Sequence, residues 1–345
     1  MNVGILGCAN IAKKYMIWAF KSIAAEFQLE RIYVSSREKK KAEKIASQFN
    51  IESHGSYDSM VNDSEIDIIY IPLPIGLHEK WVIKSAKKGK HILCEKSLSD
   101  NFNSVKRMIK VCKKNKVVLF ENFMCDYHIQ HEKVMEIIRK GKIGKPWTMK
   151  CYFGFPPLSK NNFRYKEFLG GGSLNDAGAY TIFMARKILD SEPISVTANL
   201  SNYDSHSNFY NVDIKGNAMV EFKESTAFLS FGFDNVYQNN YSIWGSEGMI
   251  NVERAFSIPP NMKPNITLYK NNNSKSSFKK IEVAKCNHFE KLLKDFFRVI
   301  KDKDDKRRKT NYSSLIKQAK SMESLRNSAK KSKKIFLNNS KNDKE

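Results

Sequence analysis

Lys96, Asp176 and Tyr180 are the residues of this chain whose types suit proton transfer coupled to hydride delivery. Hydride addition to a carbonyl leaves an alkoxide that needs a proton. A phenol ionises at about 10, and an adjacent ammonium lowers that value toward neutrality. Lys96 beside Tyr180 would do this. The lysine could equally polarise the carbonyl or donate the proton itself, so the pair is assigned jointly. Asp176 and Tyr180 are four residues apart and share a helix face; Asp176 would orient Lys96 or a substrate hydroxyl. Gly170-Gly171-Gly172 precedes them and permits close backbone approach to another surface. Tyr180 also has an ordinary reading, as a helix tyrosine packed under a sheet.

A nicotinamide cofactor is suggested at the start of the chain. An apolar run ends at Leu6, and Gly7-Cys8-Ala9-Asn10-Ile11-Ala12 opens a helical pattern. Gly7 allows a tight turn, Ala12 lets the helix pack close to the strand, and Ala9 stands where a second glycine lets a pyrophosphate approach. Free N–H groups at the helix start would face the phosphates. Ala9 crowds that approach, so an ordinary strand-to-helix turn is the competing reading. The next strand ends in Ser35-Ser36-Arg37, with a hydroxyl and a guanidinium where an NAD enzyme carries an acid. Ser36 and Arg37 suit a 2′-phosphate, so NADP(H) is expected in preference to NAD(H). Lys39 and Lys40 read as the solvated start of a helix. Further cofactor contacts are expected from Pro72, Leu73 and His78 after the third strand, and from Glu95 and Lys96 after the fourth, because ligands of open α/β sheets bind beyond the carboxyl ends of strands. His78 reads equally as a packed helix-start residue, and Glu95 as a salt-bridge partner of Lys96. Arg164 would reach a cofactor or substrate phosphate, or form a surface ion pair.

These residues need two kinds of scaffold. Strands are expected at 2–6, 29–34, 67–71, 90–94 and 117–120, alternating with helices at about 10–26, 38–49, 77–88 and 102–115. That alternation predicts a parallel sheet covered by helices on both faces. A helix at about 126–141 follows. From Trp147 strands succeed one another at 147–155, 194–203, 212–222, 226–234, 240–245 and 278–283, with one helix at about 175–189 between them. Such a succession predicts a mostly antiparallel sheet. Asn271 to Lys275 reads as a polar hairpin tip or loose loop. Two helices, about 287–302 and 312–331, close the chain. The predicted division is a nucleotide-binding domain over 1–122, a substrate and oligomerisation domain over 123–331 whose last helix packs back on the first domain, and a frayed basic tail over 332–345.

Composition narrows the function classes. At 345 residues and 41% hydrophobic, the chain can bury two cores. Apolar runs are too short to span a bilayer, and a strand starting at residue 2 leaves no room for a signal peptide. The six cysteines form no C-x-x-C pair, which argues against zinc and disulfides and for a cytoplasmic protein. His128 and His131 have no acidic or cysteine partner at ligand spacing, so no metal is expected. The net charge is +23, and residues 301–345 hold 15 lysines and arginines against 6 acids, a surplus of +9. The remainder is spread over helix faces without an aromatic-studded stripe, so no nucleic-acid partner is expected.

The Gly4-to-Ala12 turn, Glu95-Lys96, Gly170-Gly171-Gly172 with Asp176, and Trp244-Gly245-Ser246-Glu247-Gly248 occur in an order that resembles the glucose–fructose oxidoreductase/inositol dehydrogenase (Gfo/Idh/MocA) family over about residues 1–330. The resemblance implies a Rossmann domain, an open-sheet α/β domain that often mediates oligomerisation, and hydride exchange between a nicotinamide cofactor and a sugar, cyclitol or related carbinol. Two departures stand out. Ser97 replaces the proline of the family's Glu-Lys-Pro, and Tyr180 replaces the histidine of many members. The tyrosine is similar to the branch of dihydrodiol and xylose dehydrogenases and nucleotide-sugar ketoreductases. The stretches Phe123–His131 and Glu253–Pro260 most resemble the nucleotide-sugar group. The expected activity is therefore NADPH-dependent reduction of a nucleotide-linked keto-sugar by a homo-oligomer, a dimer. The alternatives are a free-sugar or dihydrodiol dehydrogenase and a catalytically silent NADP-binding protein.

Overall fold

The computed structural model describes residues 1–272 and 275–337. The chain forms two units, Met1–Tyr127 with His288–Ala319, and His128–Asn287 with the residues from Lys320 on.

In the first unit, apolar runs alternate with amphipathic helices. They give β1 (Asn2–Leu6), α1 (Ile17–Phe27), β2 (Arg31–Ser35), α2 (Lys39–Phe49), β3 (Glu52–Ser53), α3 (Tyr57–Asn62), β4 (Ile68–Ile71), α4 (His78–Lys87), β5 (His91–Glu95), α5 (Phe102–Lys114) and β6 (Leu119–Asn122). All six strands are parallel, in the order β3-β2-β1-β4-β5-β6. Every residue of β1 and β4 is buried, as central strands covered on both faces require. The strand order reverses between β1 and β4, which is where a doubly wound sheet opens its ligand crevice. The helix after β1 begins at residue 10 and passes through a π-type turn, Ala12–Met16, before α1. Neither β3 nor α3 is expected from the pattern. Two and six residues are too few to show a period, and α3 is announced only by Ser56, whose hydroxyl accepts from the Ser59 N–H at 3.1 Å.

The second unit contains α6 (Ile129–Arg139), β7 (Pro146–Gly154), α7 (Ala179–Ile188), β8 (Ser195–Ser201), β9 (Lys215–Glu221), β10 (Thr226–Gly232), β11 (Gln238–Gly245), β12 (Gly248–Glu253), β13 (Asn265–Asn272) and β14 (Lys275–Ile281). The sheet runs β14-β13-β12-β11-β7-β10-β9-β8. Only β7 and β10 pair in parallel; the other neighbours are antiparallel. Alternate residues such as Ala218, Val220, Leu229, Phe231, Tyr241 and Ile243 are buried, while Trp147, Phe228, Trp244 and Phe278 stay exposed. The strands β12 and β13 are not expected from the sequence, although Ile250 and Val252, and Ile266 and Leu268, alternate with polar residues as in a half-buried strand. The expected loop at Asn271 to Lys275 is the end of the β13–β14 hairpin; Asn273 and Ser274 lie outside the described residues.

Helix α8 (His288–Lys301) returns to the first unit, where Phe297 meets Phe20 and Phe27, and Phe296 meets Phe120. Helix α9 (Asp305–Lys331) starts seven residues earlier than the pattern suggests. Its first turns are anchored in the first unit by Asn311 Nδ2, which donates to the Leu119 carbonyl at 2.6 Å. The division between units falls inside this helix, and α8 belongs to the first unit rather than to the expected 123–331 domain. The expected frayed tail also needs correction. Ile335–Phe336 forms β15 on the edge of β8, and the Leu337 N–H donates to the Ile194 carbonyl at 2.8 Å. Residues 338–345 of that tail lie outside the described residues.

Candidate active site

The turn after β1 is built as a phosphate turn must be. Gly7 has φ +108°, and its N–H donates to the Ser35 carbonyl at 2.8 Å. A Cβ here would come within 3.0 Å of the Leu73 side chain and 3.3 Å of the Tyr57 hydroxyl, so only glycine leaves room. Ala9 and Ile11 are partly buried and Asn10 is exposed, and the helix that starts there presents its first N–H groups at the strand end. Ser36 is half-buried beside the Cys8 thiol, which it hydrogen-bonds; burial pushes that thiol up, and Ser36 and Lys13 pull it back. Arg37 is exposed, and Glu38 beside it is ion-paired with Lys41. The Arg37 backbone N–H bonds to the Tyr57 hydroxyl, whose ionisation burial pushes up. Tyr57 was missed by sequence reasoning because its helix was. These residues fit a 2′-phosphorylated dinucleotide.

His78 needs correction as a cofactor contact. It is fully buried, with Nδ1 3.0 Å from the Ser97 carbonyl and Nε2 2.7 Å from the Leu73 carbonyl. It ties the loop after β4 to the turn after β5, so it acts as a packed linker. Pro72 is buried and Leu73 partly so. Glu95 accepts from the Tyr70 hydroxyl at 2.7 Å and from the Asn122 amide. Burial pushes its carboxyl up, and both donors, then Lys96, pull it down. Tyr70 and Asn122 carried no signal of this role in the sequence. Lys96 follows at the strand end, and the Lys96–Ser97 peptide bond is cis. The Leu98 N–H donates to Glu121 Oε1 at 2.7 Å and pins the turn.

In the second unit, Arg164 Nε donates to Asp176 Oδ2 at 2.6 Å. The ion pair expected of Arg164 is formed, and it is partly buried rather than on the surface. Asp176 sits in a π-type turn, Leu174–Gly178, that runs into α7; such turns gather at functional sites. The glycine run before it is fixed by groups the sequence did not reveal. Gly170 and Gly172 have φ +72° and +109°. Asp213 accepts from the Ser173 hydroxyl and the Leu174 N–H, both at 2.6 Å. Burial pushes the Asp213 carboxyl up while those donors hold it down. Asn175 donates to the Gly170 and Gly171 carbonyls and accepts from Arg326 at 2.6 Å. Tyr180 is buried, its ring 5.3 Å from Phe153 and 6.3 Å from Phe256, so it is packed as a helix tyrosine.

Lys96 and Glu95 thus belong to the first unit, and Arg164, Asp176 and Tyr180 to the second. Among the described residues no group of three His, Cys, Asp or Glu stands close enough to hold a metal ion. His131 is held by protein groups instead, with Nδ1 2.9 Å from the Tyr241 hydroxyl and Nε2 2.9 Å from the Ala255 carbonyl. Among the described residues no helix is long and apolar enough to cross a membrane.

Comparison with known proteins places this arrangement. Residues 1–123 match the oxidoreductase family with an NAD-binding Rossmann fold, and residues 131–251 match the Gfo/Idh/MocA C-terminal domain. A dTDP-3,4-didehydro-2,6-dideoxy-α-D-glucose 3-reductase of Saccharopolyspora spinosa is 31% identical over 75% of this chain and 76% of its own. An NADP(+)-dependent D-xylose 1-dehydrogenase of Haloferax volcanii is 30% identical over 77% of this chain and 80% of its own. The crystal structure of a 3-ketoreductase from Actinomadura kijaniata, in complex with NADP and TDP-benzene, superposes with a TM-score of 0.86 at 27% identity, covering 95% of this chain and 97% of that one. Family match and sheet order agree, and the chain belongs to the Gfo/Idh/MocA family of oxidoreductases, acting on sugar hydroxyl or keto groups.

Proposed function

We propose that this enzyme uses NADPH to reduce the keto group of a nucleotide-linked sugar. The carrying observation is the likeness, over three quarters of the chain, to 3-reductases of dTDP-linked keto-sugars. NADPH supplies the hydride when bound. Gly7 and the helix start would hold its diphosphate, and Ser36 and Arg37 its 2′-phosphate. Lys96 supplies positive charge to the developing alkoxide, and Tyr180 supplies or relays the proton. Asp176, charge-matched by Arg164, holds its place on the tyrosine's helix face. Free-sugar oxidation is the second reading, favoured by the xylose dehydrogenase relative.

The test is NADPH oxidation by the purified protein with a dTDP-3-keto-sugar, set against NADP reduction with D-xylose. Faster turnover of the free sugar would reverse the assignment.

The protein works as a homo-oligomer in the cytoplasm in this proposal. Trp147 and Trp244 lie 4.8 Å apart on the outer face of the second sheet, each about half exposed, and a second copy of that face would cover them. Light scattering that shows a concentration-independent monomer would remove this part.

A further inference from the structure

The chain leaving β12 should keep its inward parity after Ile250 and Val252, which would bury Arg254. Arg254 instead has φ +53° and is exposed. Three buried side chains from two other elements hold that turn. Gln130 Nε2 lies 3.3 Å from the carbonyls of both Arg254 and Ala255, and His131 Nε2 donates to the Ala255 carbonyl. The Asn239 carbonyl oxygen accepts the Phe256 N–H at 2.7 Å, and its amide donates to Ser257 at 3.1 Å. Buried polar side chains are costly unless matched, so this is a heavily determined backbone for one exposed cation.

What it presents is a set of donors without acceptors. The Arg254 guanidinium lies 4.8 Å from the centre of the Tyr237 ring, and Nη1 donates to the Tyr237 hydroxyl at 3.0 Å. The Asn239 amide donates to the same oxygen at 2.9 Å. With both acceptor positions filled, the hydroxyl can only donate further, and its proton meets no acceptor among the described residues. Arg254 pairs with no carboxylate among them either, since the neighbouring Glu253 carboxylate takes the Asn265 amide. The remaining guanidinium N–H groups and one phenolic O–H therefore face solvent as donors only, which suits an anion with several oxygens.

The placing matches one kind of anion. Phe256, two residues further on, packs against Tyr180, and two residues span at most about 7 Å of backbone. The donors and Tyr180 are thus joined through one short strap, as the diphosphate and the sugar of one substrate are joined through a short link. We propose that Arg254 and Tyr237 grip the diphosphate that links the nucleoside to the sugar, while Phe256 on the same strap positions Tyr180. This deepens the reading of the substrate as a nucleotide-linked sugar and rests on it.

The test titrates dTDP, and separately thymidine, into NADPH-saturated protein by calorimetry. Arg254→Ala should weaken dTDP roughly 10- to 100-fold, the loss of a charge-assisted grip, and leave thymidine unchanged. Tyr237→Phe keeps the ring and should weaken dTDP by about 2- to 10-fold. Far-UV circular dichroism checks that each variant folds, and NADPH affinity is measured alone. Failure of dTDP to bind the wild type, or equal binding by Arg254→Ala, overturns the assignment. So does a fall in NADPH affinity in place of dTDP affinity, because the donors would then serve the cofactor's own diphosphate. If Arg254→Ala loses dTDP but the wild type reduces no dTDP-keto-sugar, the site stands and the reaction assigned above fails.

Discussion

Arg164 and Asp176 form an ion pair within the second unit, Nε to Oδ2 at 2.6 Å, with side chains 29% and 13% exposed. The arginine sits in the loop before the glycine run and the aspartate in the turn that opens α7. The pair therefore fastens that loop to the helix carrying Tyr180. Removing Arg164 leaves a mostly buried carboxylate without this partner. Arg164→Met should lower stability by about 1–3 kcal/mol, read as a urea midpoint. The double variant Arg164→Met/Asp176→Asn should recover part of the loss, because it removes the stranded charge. A double variant no more stable than the single would mean that the carboxylate left by the arginine is not the source of the loss, and an Arg164→Met variant as stable as wild type would mean that the pair contributes nothing.

Cofactor choice should follow the tip of β2. Arg37 is exposed and Ser36 half-buried, and the acid that follows them, Glu38, is ion-paired with Lys41. NADPH should bind more tightly than NADH, and Arg37→Ala should cost NADPH roughly 1.5–3 kcal/mol while hardly changing NADH. Fluorescence titration of both cofactors measures this; equal affinity in the wild type would contradict it.

Acid stability has an identifiable source in His91. Burial lowers its ionisation from 6.5 to about 4, with Asp67 opposing and Arg308 adding to the fall. Its Nδ1 accepts the Val118 N–H at 3.0 Å, which a protonated ring could not do. The unfolded chain takes up this proton at the ordinary value and the folded protein only near the lowered one. The stabilisation is complete above pH 6.5 and is lost as the pH falls from 6.5 to about 4. It amounts to about 3 kcal/mol. His91→Asn keeps an acceptor for Val118 and should flatten the stability profile across that window in denaturant melts at stepped pH.

Local chemistry was readable in the sequence, and contacts between distant segments were not. The continuous apolar run Ile68–Ile71 announces a central parallel strand, and Gly7, Ser36 and Arg37 lie on one strand-turn pattern each. The roles of Asp213, Asn239 and Asn122 depend on loops brought together only by folding, so single polar residues gave no hint of them. A histidine at a helix start after a strand suits a cofactor contact and a packed residue alike in sequence, and the burial of His78 against two carbonyls fits the packed reading. The strands β12 and β13 escaped because only two apolar residues in each, Ile250 and Val252, Ile266 and Leu268, keep the alternation, too short a run to stand out before the register with β11 and β14 is known.

The chemistry itself should divide between Lys96 and Tyr180 without adding. Lys96 stands at the end of β5 in a turn pinned by Glu121, and Tyr180 on α7 is held by Phe153 and Phe256. In the proposed reaction one charge-stabilises the alkoxide that the other protonates, so losing either disables the same step. A placed proton donor is typically worth about 10²–10⁴ in rate. Lys96→Met and Tyr180→Phe should each lower turnover on that scale, with NADPH affinity nearly intact. The double variant should be little slower than the slower single, as for groups that act together. Near-wild-type turnover in Tyr180→Phe alone would give the proton to Lys96. Near-wild-type turnover in both singles would remove these residues from the reaction. Multiplied losses in the double variant would mean that the two residues act in separate steps.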